Sequence, residues 1–222
     1  MDPHEHRCRP RTRTPRLITL GDDAPSLSAA KSRRSWAILL IVLTLGLLAD
    51  LWSKDFAFKH VGEQPVSLSR EEVLNAPNPR ALIPAYKPIV VIPNVLNFTL
   101  VLNQGAVFGM GAGKRWLFIA FTAGAIGLGL WMFVAWTTRK DWLAHVSLGL
   151  LLSGGLGNLY DRLVFACVRD FIHPLPGVEI RNWEVWPYVS NIADALLIIG
   201  IIGLMWHLWR SEPAGPKKAQ SA

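Results

Sequence analysis

Four aspartates stand where a carboxylate is costly: Asp50, Asp161, Asp170 and Asp194 lie inside or beside long apolar stretches. A charged side chain at the centre of a membrane span costs roughly 2.5 to 3.5 kcal/mol on insertion scales, so each calls for a reason. Two carboxylates close enough to share a proton cannot both ionise in a poorly solvated site, and one stays an acid while the other acts as a base. Such a pair can deprotonate a water that attacks a peptide carbonyl while protonating the developing oxyanion and the leaving amine. That chemistry requires no metal, nucleophilic side chain or cofactor. Other chemistries are poorly placed in this sequence. Ser153 resembles an intramembrane nucleophile, but His145 and His207 both lie near the opposite ends of their spans from the aspartates, and the HExxH zinc signature is missing.

The elements that would carry these groups are membrane helices. The chain has 222 residues, of which 51% are hydrophobic and ten are Trp, a composition that points away from a soluble globule. Four apolar stretches, at 36–52, 116–136, 142–160 and 191–209, have the length of bilayer-spanning helices. Trp36, Trp52, Trp116, Trp136, Trp142 and Trp209 mark their ends. Any one of these could be an ordinary core aromatic, but six at helix ends read as an interfacial belt. The fold class expected is an all-α membrane protein of four transmembrane helices, with a small extracytoplasmic β element between the first two.

Charge sets the orientation. Thirteen of the 23 Lys and Arg residues fall before Trp36, in the turn with Arg139 and Lys140, or in the tail with Arg210, Lys217 and Lys218. Positive charge marks the cytoplasmic side, so both termini are expected inside and the two longer connections outside. All four aspartates then gather at the outer face. The net charge of +7 lacks the interleaved aromatics of a nucleic-acid surface, so no nucleic-acid partner is expected. A transporter or channel with a polar outer vestibule is the alternative, but it would place polar residues along the full depth of several spans. Thr122, Ser147 and Ser153 are too sparse for a conduit. A non-catalytic scaffold would leave the aspartates unexplained.

Residues 1–35 read as a disordered basic cytoplasmic tail, 36–210 as the membrane domain with an outer insertion at about 55–88, and 211–222 as a second tail. The first apolar stretch follows a long basic segment and lacks a clear cleavage site, so it reads as a retained anchor. The run IVVIPNVLNFTLVL at 89–102 favours short strands. A five-residue turn at 137–141 forces an antiparallel hairpin of the second and third spans. The connection at 161–190, with Trp183, Trp186 and Tyr188, is expected along the interface. Cys8 and Cys167 fall on opposite sides of the membrane, which forbids an intramolecular disulfide.

The segments NQGAVFG (103–109), GGLGNLYDR (154–162), VRDF (168–171) and NIADA (191–195), in this order, resemble the signature blocks of the lipoprotein signal peptidase (signal peptidase II) family. DLWSK at 50–54 is similar to that family's first-helix Asp and Lys. The resemblance implies an aspartic endopeptidase of the bacterial inner membrane. It implies cleavage of diacylglyceryl-modified prolipoproteins just before the lipidated Cys, near the outer surface and among membrane lipids. It assigns Asp170 and Asp194 to catalysis, and Asn103, Asn158, Arg162 and Asn191 to substrate binding or site support. It leaves Asp50, Lys54, Asp161, Gly105 and Gly157 as structural, and calls for no metal or other cofactor. The enzyme is expected to work as a monomer.

Bland readings stand beside these. Asn103 also suits a turn, Gly154, Gly155 and Gly157 also suit helix packing, and Asp161 beside Arg162 also suits an interfacial ion pair. Two departures from the family pattern are Ser190, where Phe is usual, and Arg169 within an otherwise more apolar block. The first outer loop and the segment between Asp170 and Asn191 are also longer than is typical.

Overall fold

A computed structural model describes residues 27–105 and 115–211. The expected N-terminal tail up to residue 26, Cys8, positions 106–109 of the NQGAVFG segment and the tail from 212 lie outside the described residues. Among the described residues, four helices are long and apolar enough to cross a membrane: α1 (Arg33–His60), α3 (Arg115–Ala135), α4 (Trp142–Val164) and α5 (Ile192–Ser211). A short helix, α2 (Arg70–Asn75), follows α1 and is closed by a capping box between Ser69 and Glu72.

α4 is the central helix and packs on α1, α3 and α5. More than half of its apolar window is buried, whereas the other three turn most of theirs outward. Leu117, Phe121 and Leu128 on α3, and Ile198, Ile199 and Ile202 on α5, are all exposed. Apolar faces of this extent suit hydrocarbon surroundings rather than water. Of the six Trp expected at helix ends, five are exposed. Trp36 instead packs edge-on against Phe133, with ring centroids 4.7 Å apart, and donates Nε1–H to the Ala30 carbonyl.

α1 continues past Trp52 to His60, beyond the span expected from apolar length alone. At about 1.5 Å per residue its 28 residues reach about 42 Å. The extension persists because its inner face is satisfied. Lys54 is paired, and Ala57 and Phe58 enter an apolar cluster with Val73, Leu100, Leu102, Cys167 and Phe171.

That cluster lies under a three-stranded antiparallel sheet of order β1 (Ile89–Ile92), β2 (Leu96–Asn103) and β3 (Val168–Pro174). β1 and β2 are joined through a tight turn in which Asn94 adopts φ +59°, a conformation that Asn tolerates better than most residues. The strands expected at 89–102 therefore form, but the β element is not confined to the connection between the first two spans. Its third strand comes from beyond α4 and sets Asp170 opposite Val101 and Val168 opposite Asn103. A separate hairpin, β4 (Glu179–Ile180) and β5 (Trp183–Glu184), turns at Arg181 and Asn182. At the other end of the bundle, the segment before α1 crosses the α3–α4 turn through Ala29 N–H to Thr137 O and Arg139 N–H to Leu27 O, both 2.9 Å.

Candidate active site

The sheet end of the bundle collects the polar residues that the apolar spans exclude. Asp170 comes from the middle of β3, where strand alternation turns one residue toward the helices and the next away. Its carboxylate is 2% exposed. Oδ1 accepts a 2.6 Å hydrogen bond from Asn191 Nδ2, and Oδ2 accepts one of 3.0 Å from Asn103 Nδ2. Asn103 is itself held, because its Oδ1 accepts from Gly105 N–H at 3.0 Å. It therefore makes a local turn and a contact with the carboxylate at once, so the two readings of this residue are compatible.

Asp194 enters from α5 by way of the helix cap. Asn191 is the residue before the helix, and its Oδ1 accepts from Asp194 N–H at 3.1 Å. Asp194 Oδ2 in return accepts from Asn191 N–H at 3.1 Å. This is the reciprocal logic of a capping box, with Asn and Asp in place of the commoner Ser and Glu. A third unpaired N–H of the first turn, that of Ala193, donates to Asp50 Oδ1 at 2.8 Å. The positive end of α5 thus faces two carboxylates.

Asn158 on α4 joins the two halves. Its Nδ2 donates to Asp194 Oδ1 at 2.9 Å, while its Oδ1 accepts from Asn191 Nδ2 at 3.2 Å and from Lys54 Nζ at 3.1 Å. An ammonium only donates, so Lys54 fixes which way the Asn158 amide points. Burial first, and the negative charge of Asp194 second, push the Asp170 carboxyl up to about 7, against hydrogen bonds from Asn191 and Asn103 that lower it. At neutral pH the Asp170 carboxyl is therefore close to half protonated.

Lys54 also anchors a buried ion chain. It lies 2.8 Å from Asp50 and 3.6 Å from Asp161, with all three side chains fully buried. Asp161 is not the partner of its neighbour Arg162. A helix points adjacent residues about 100° apart, so Arg162 faces away from Asp161. Arg162 donates to Asn158 O at 3.3 Å and Gly105 O at 3.2 Å. The partner of Asp161 is Arg169, 2.9 Å away. Neither composition nor helical spacing points to Arg169. The available signal was that a strand carrying a buried Asp170 must turn its neighbour into the opposite face, where a buried Arg demands an acceptor.

The glycines of α4 meet different partners. A Cβ at Gly157 would run into the Asp50 carboxylate, and one at Gly154 would stand 2.5 Å from the Ala193 carbonyl oxygen. Both are close approaches that only Gly permits. Gly155 lines a groove of about 1770 Å³, whose polar end is formed by Asn103, Asn158, Arg162, Asp170, Asn191 and Asp194. Its apolar length runs over α4 between Phe121 and Ile126 of α3 and Leu197 and Ile198 of α5.

Other nucleophiles are badly placed. Ser153 Oγ donates to Leu150 O at 2.8 Å, while His145 packs on Phe133 at the far end of α4. Burial pushes the Cys167 thiol up to about 12, far from thiolate character at neutral pH. Among the described residues, no group of three or more His, Cys, Asp and Glu is arranged to hold a metal ion.

Comparison with known proteins identifies relatives of the chain. The family model described as "Signal peptidase (SPase) II" matches residues 41–210. A lipoprotein signal peptidase of Desulfitobacterium hafniense is 35% identical over 132 residues, covering 60% of this chain and 80% of its own. One from Pseudomonas aeruginosa is 36% identical over 148 residues, covering 61% and 79%. Among solved structures, a bacterial membrane enzyme determined by the in meso method at 2.3 Å aligns with a TM-score of 0.57, covering 85% of this chain and 94% of that one. Its identity is 23%, so it speaks for the fold alone.

Proposed function

The chain belongs to the signal peptidase II family, a membrane protease that cleaves lipoprotein signal peptides, and on that premise we propose that Asp170 and Asp194 are its catalytic pair. The observation that carries this reading is a single side chain. Asn191 donates to Asp170, accepts from the backbone of Asp194 and donates to Asn158, so two carboxylates are held together at the polar end of an apolar groove.

Asp194, half-buried at the start of α5, acts as the base that takes a proton from an attacking water. Asp170, still partly protonated near neutral pH, gives its proton to the carbonyl oxygen; as the tetrahedral intermediate collapses it takes that proton back, while Asp194 passes the proton taken from water to the leaving amine. Arg162 and Asn103 flank the scissile peptide, and the Arg162 guanidinium also closes the loop after β2 by holding Gly105. The apolar groove over α4 takes the signal-peptide helix and the acyl chains. The diacylglyceryl group thus sets the depth at which the peptide bond meets the dyad, and the cut falls just before the lipidated Cys.

The orientation follows from the basic residues: both termini in the cytoplasm of a bacterial inner membrane, with the sheet end of the bundle outside. Lipidation then works as an address. Purified protein incubated with a diacylglyceryl-modified precursor should release its signal peptide, whereas the unmodified precursor should be cut far more slowly. Equal cleavage of the two would sink this reading of the groove.

A further inference from the structure

Arg169 lies one residue from Asp170 and takes no part in the chemistry just described. It is 6% exposed and faces the opposite side of β3, toward the end of α4. Its Nη2 reaches Asp161 Oδ1 at 2.9 Å, its Nε lies 3.3 Å from both oxygens, and its own backbone N–H donates to Oδ2 at 2.9 Å. The guanidinium also lies 4.1 Å from the ring centroid of Phe165, a stacked and partly desolvated setting suited to Arg rather than Lys.

Charge counting gives this clamp a consequence. Asp50, Lys54, Asp161 and Arg169 form a buried cluster of two anions and two cations. Without the Arg169 side chain, Asp161 would keep the backbone N–H of residue 169 but have Lys54 as its only close cation, and Lys54 already serves Asp50 and Asn158. A buried carboxylate left without compensation is strongly unfavourable, so Lys54 would be drawn toward Asp161. Asn158 would then lose the contact that orients its amide toward Asp194.

We propose that Arg169 is a positioning residue of the reaction: by neutralising Asp161 it leaves Lys54 on Asp50 and Asn158, and so holds Asp194 and Asp170 in their paired arrangement. The proposal rests on the reading of those two aspartates as the catalytic pair. The charged groups around the pair are Asp50 and Lys54 from α1 and Asp161 and Arg162 from α4, with Arg169 on the opposite side of β3 against Asp161. Arg162 keeps its charge in every variant considered, and the Cys167 thiol stays neutral.

The test is a charge-balance cycle on purified, folded enzyme, reading cleavage of a diacylglyceryl-modified precursor across pH. Arg169→Met leaves the cluster one negative charge in excess. Its alkaline limb should move up by roughly half a pH unit, and kcat should fall more than KM changes. Asp161→Asn leaves one positive charge in excess and should move the limb down. The double variant is balanced again. Its limb should return toward wild type, with kcat about threefold or more above that of Arg169→Met. Arg169→Lys keeps the charge without the fork, so it should leave the limb in place with a smaller loss of kcat. A merely structural Arg169 would give additive losses of stability with unmoved limbs, and that result overturns the proposal. If Arg169→Met does not fold, the downward limb of Asp161→Asn and the fixed limb of Arg169→Lys decide the matter, and failure of either overturns it. Asp170→Asn runs alongside: cleavage by that variant would overturn the dyad and the proposal together, whereas an inactive Asp170→Asn together with unmoved limbs in the Arg169 and Asp161 variants overturns the role of Arg169 alone.

Discussion

Asp170 and Asp194 differ in surroundings, and that difference underlies the separate tasks proposed for them. Asp170 is buried and accepts two amide hydrogen bonds, while Asp194 sits half-buried on a helix cap. Replacing either by Asn keeps the shape but removes the exchangeable proton, so Asp170→Asn and Asp194→Asn should each abolish turnover in a folded, inserted protein. Measurable cleavage by either folded variant would argue against the pair. Activity should fall when both carboxyls are protonated and again when both are ionised, giving a bell whose limbs belong to the pair. The Asp170 carboxyl lies at about 7 in the folded protein against 3.8 for the free group. Its folded value is raised, so its contribution to stability is complete below 3.8 and is lost as the pH climbs through about 7. Asp170→Asn should therefore melt a few degrees above wild type at pH 8, a shift of the size that about 1 kcal/mol gives in a chain of this length. The gain should vanish toward pH 4. Asn accepts at one oxygen only, which offsets part of the gain.

The helix that carries Asp194 is placed by its cap and by a glycine. Asn191→Ala removes the cap, at about 1 kcal/mol of stability. It also unties Asp170 and Asn158, so kcat should fall roughly ten- to a hundredfold, the value of one or two charge-assisted hydrogen bonds. Gly154→Ala sets a Cβ against the Ala193 carbonyl and would push the start of α5 away from α4. A displacement of about 1 Å at reacting groups can lower the rate by about a hundredfold, so a loss of tenfold or more is expected although Gly154 touches no substrate. Gly124 on α3 has open space where its Cβ would stand, and Gly124→Ala should be silent in the same kinetic assay. The β3 strand is the other precise element. It is paired through Val101 and Asn103 of β2 on one edge and joined to Ser190 on the other. Ser190, one of the two departures from the family pattern, therefore serves through its backbone, giving N–H to Ile172 O and accepting from Phe171 and Ile172 N–H.

At the scale of the whole molecule, a central α4 with α3 and α5 on either side makes an apolar trough whose polar end is the proposed site. The arrangement suits a substrate that arrives from the bilayer with one helix and two acyl chains and leaves as two pieces. It predicts that reporter fusions at residue 75 and at residue 140 report opposite sides of the membrane, with 75 outside. A fusion at 75 that reports the cytoplasm would invert the assigned orientation and place the dyad on the wrong side for its substrate.

Much of this was legible from the chain alone because it depends on local properties. The existence of four spans, the Trp near their ends and the strand run at 89–102 are set by residues within a few positions of one another. The ordered motif blocks pointed to the family for a similar reason, since each is short and the order is linear. Contacts between distant segments followed a different rule. Asp50, Asp161, Asp170 and Asp194 are all expected at one end of the bundle, and nothing in their spacing says which of them share a site. The tertiary structure decided it by pairing β3 with β2 and by bringing Lys54 of α1 against Asn158 of α4, 104 positions away. It also gave Asp161 to Arg169 rather than to Arg162. A buried charge takes the partner that the fold brings within reach, and helical rotation had already turned the neighbour in sequence elsewhere.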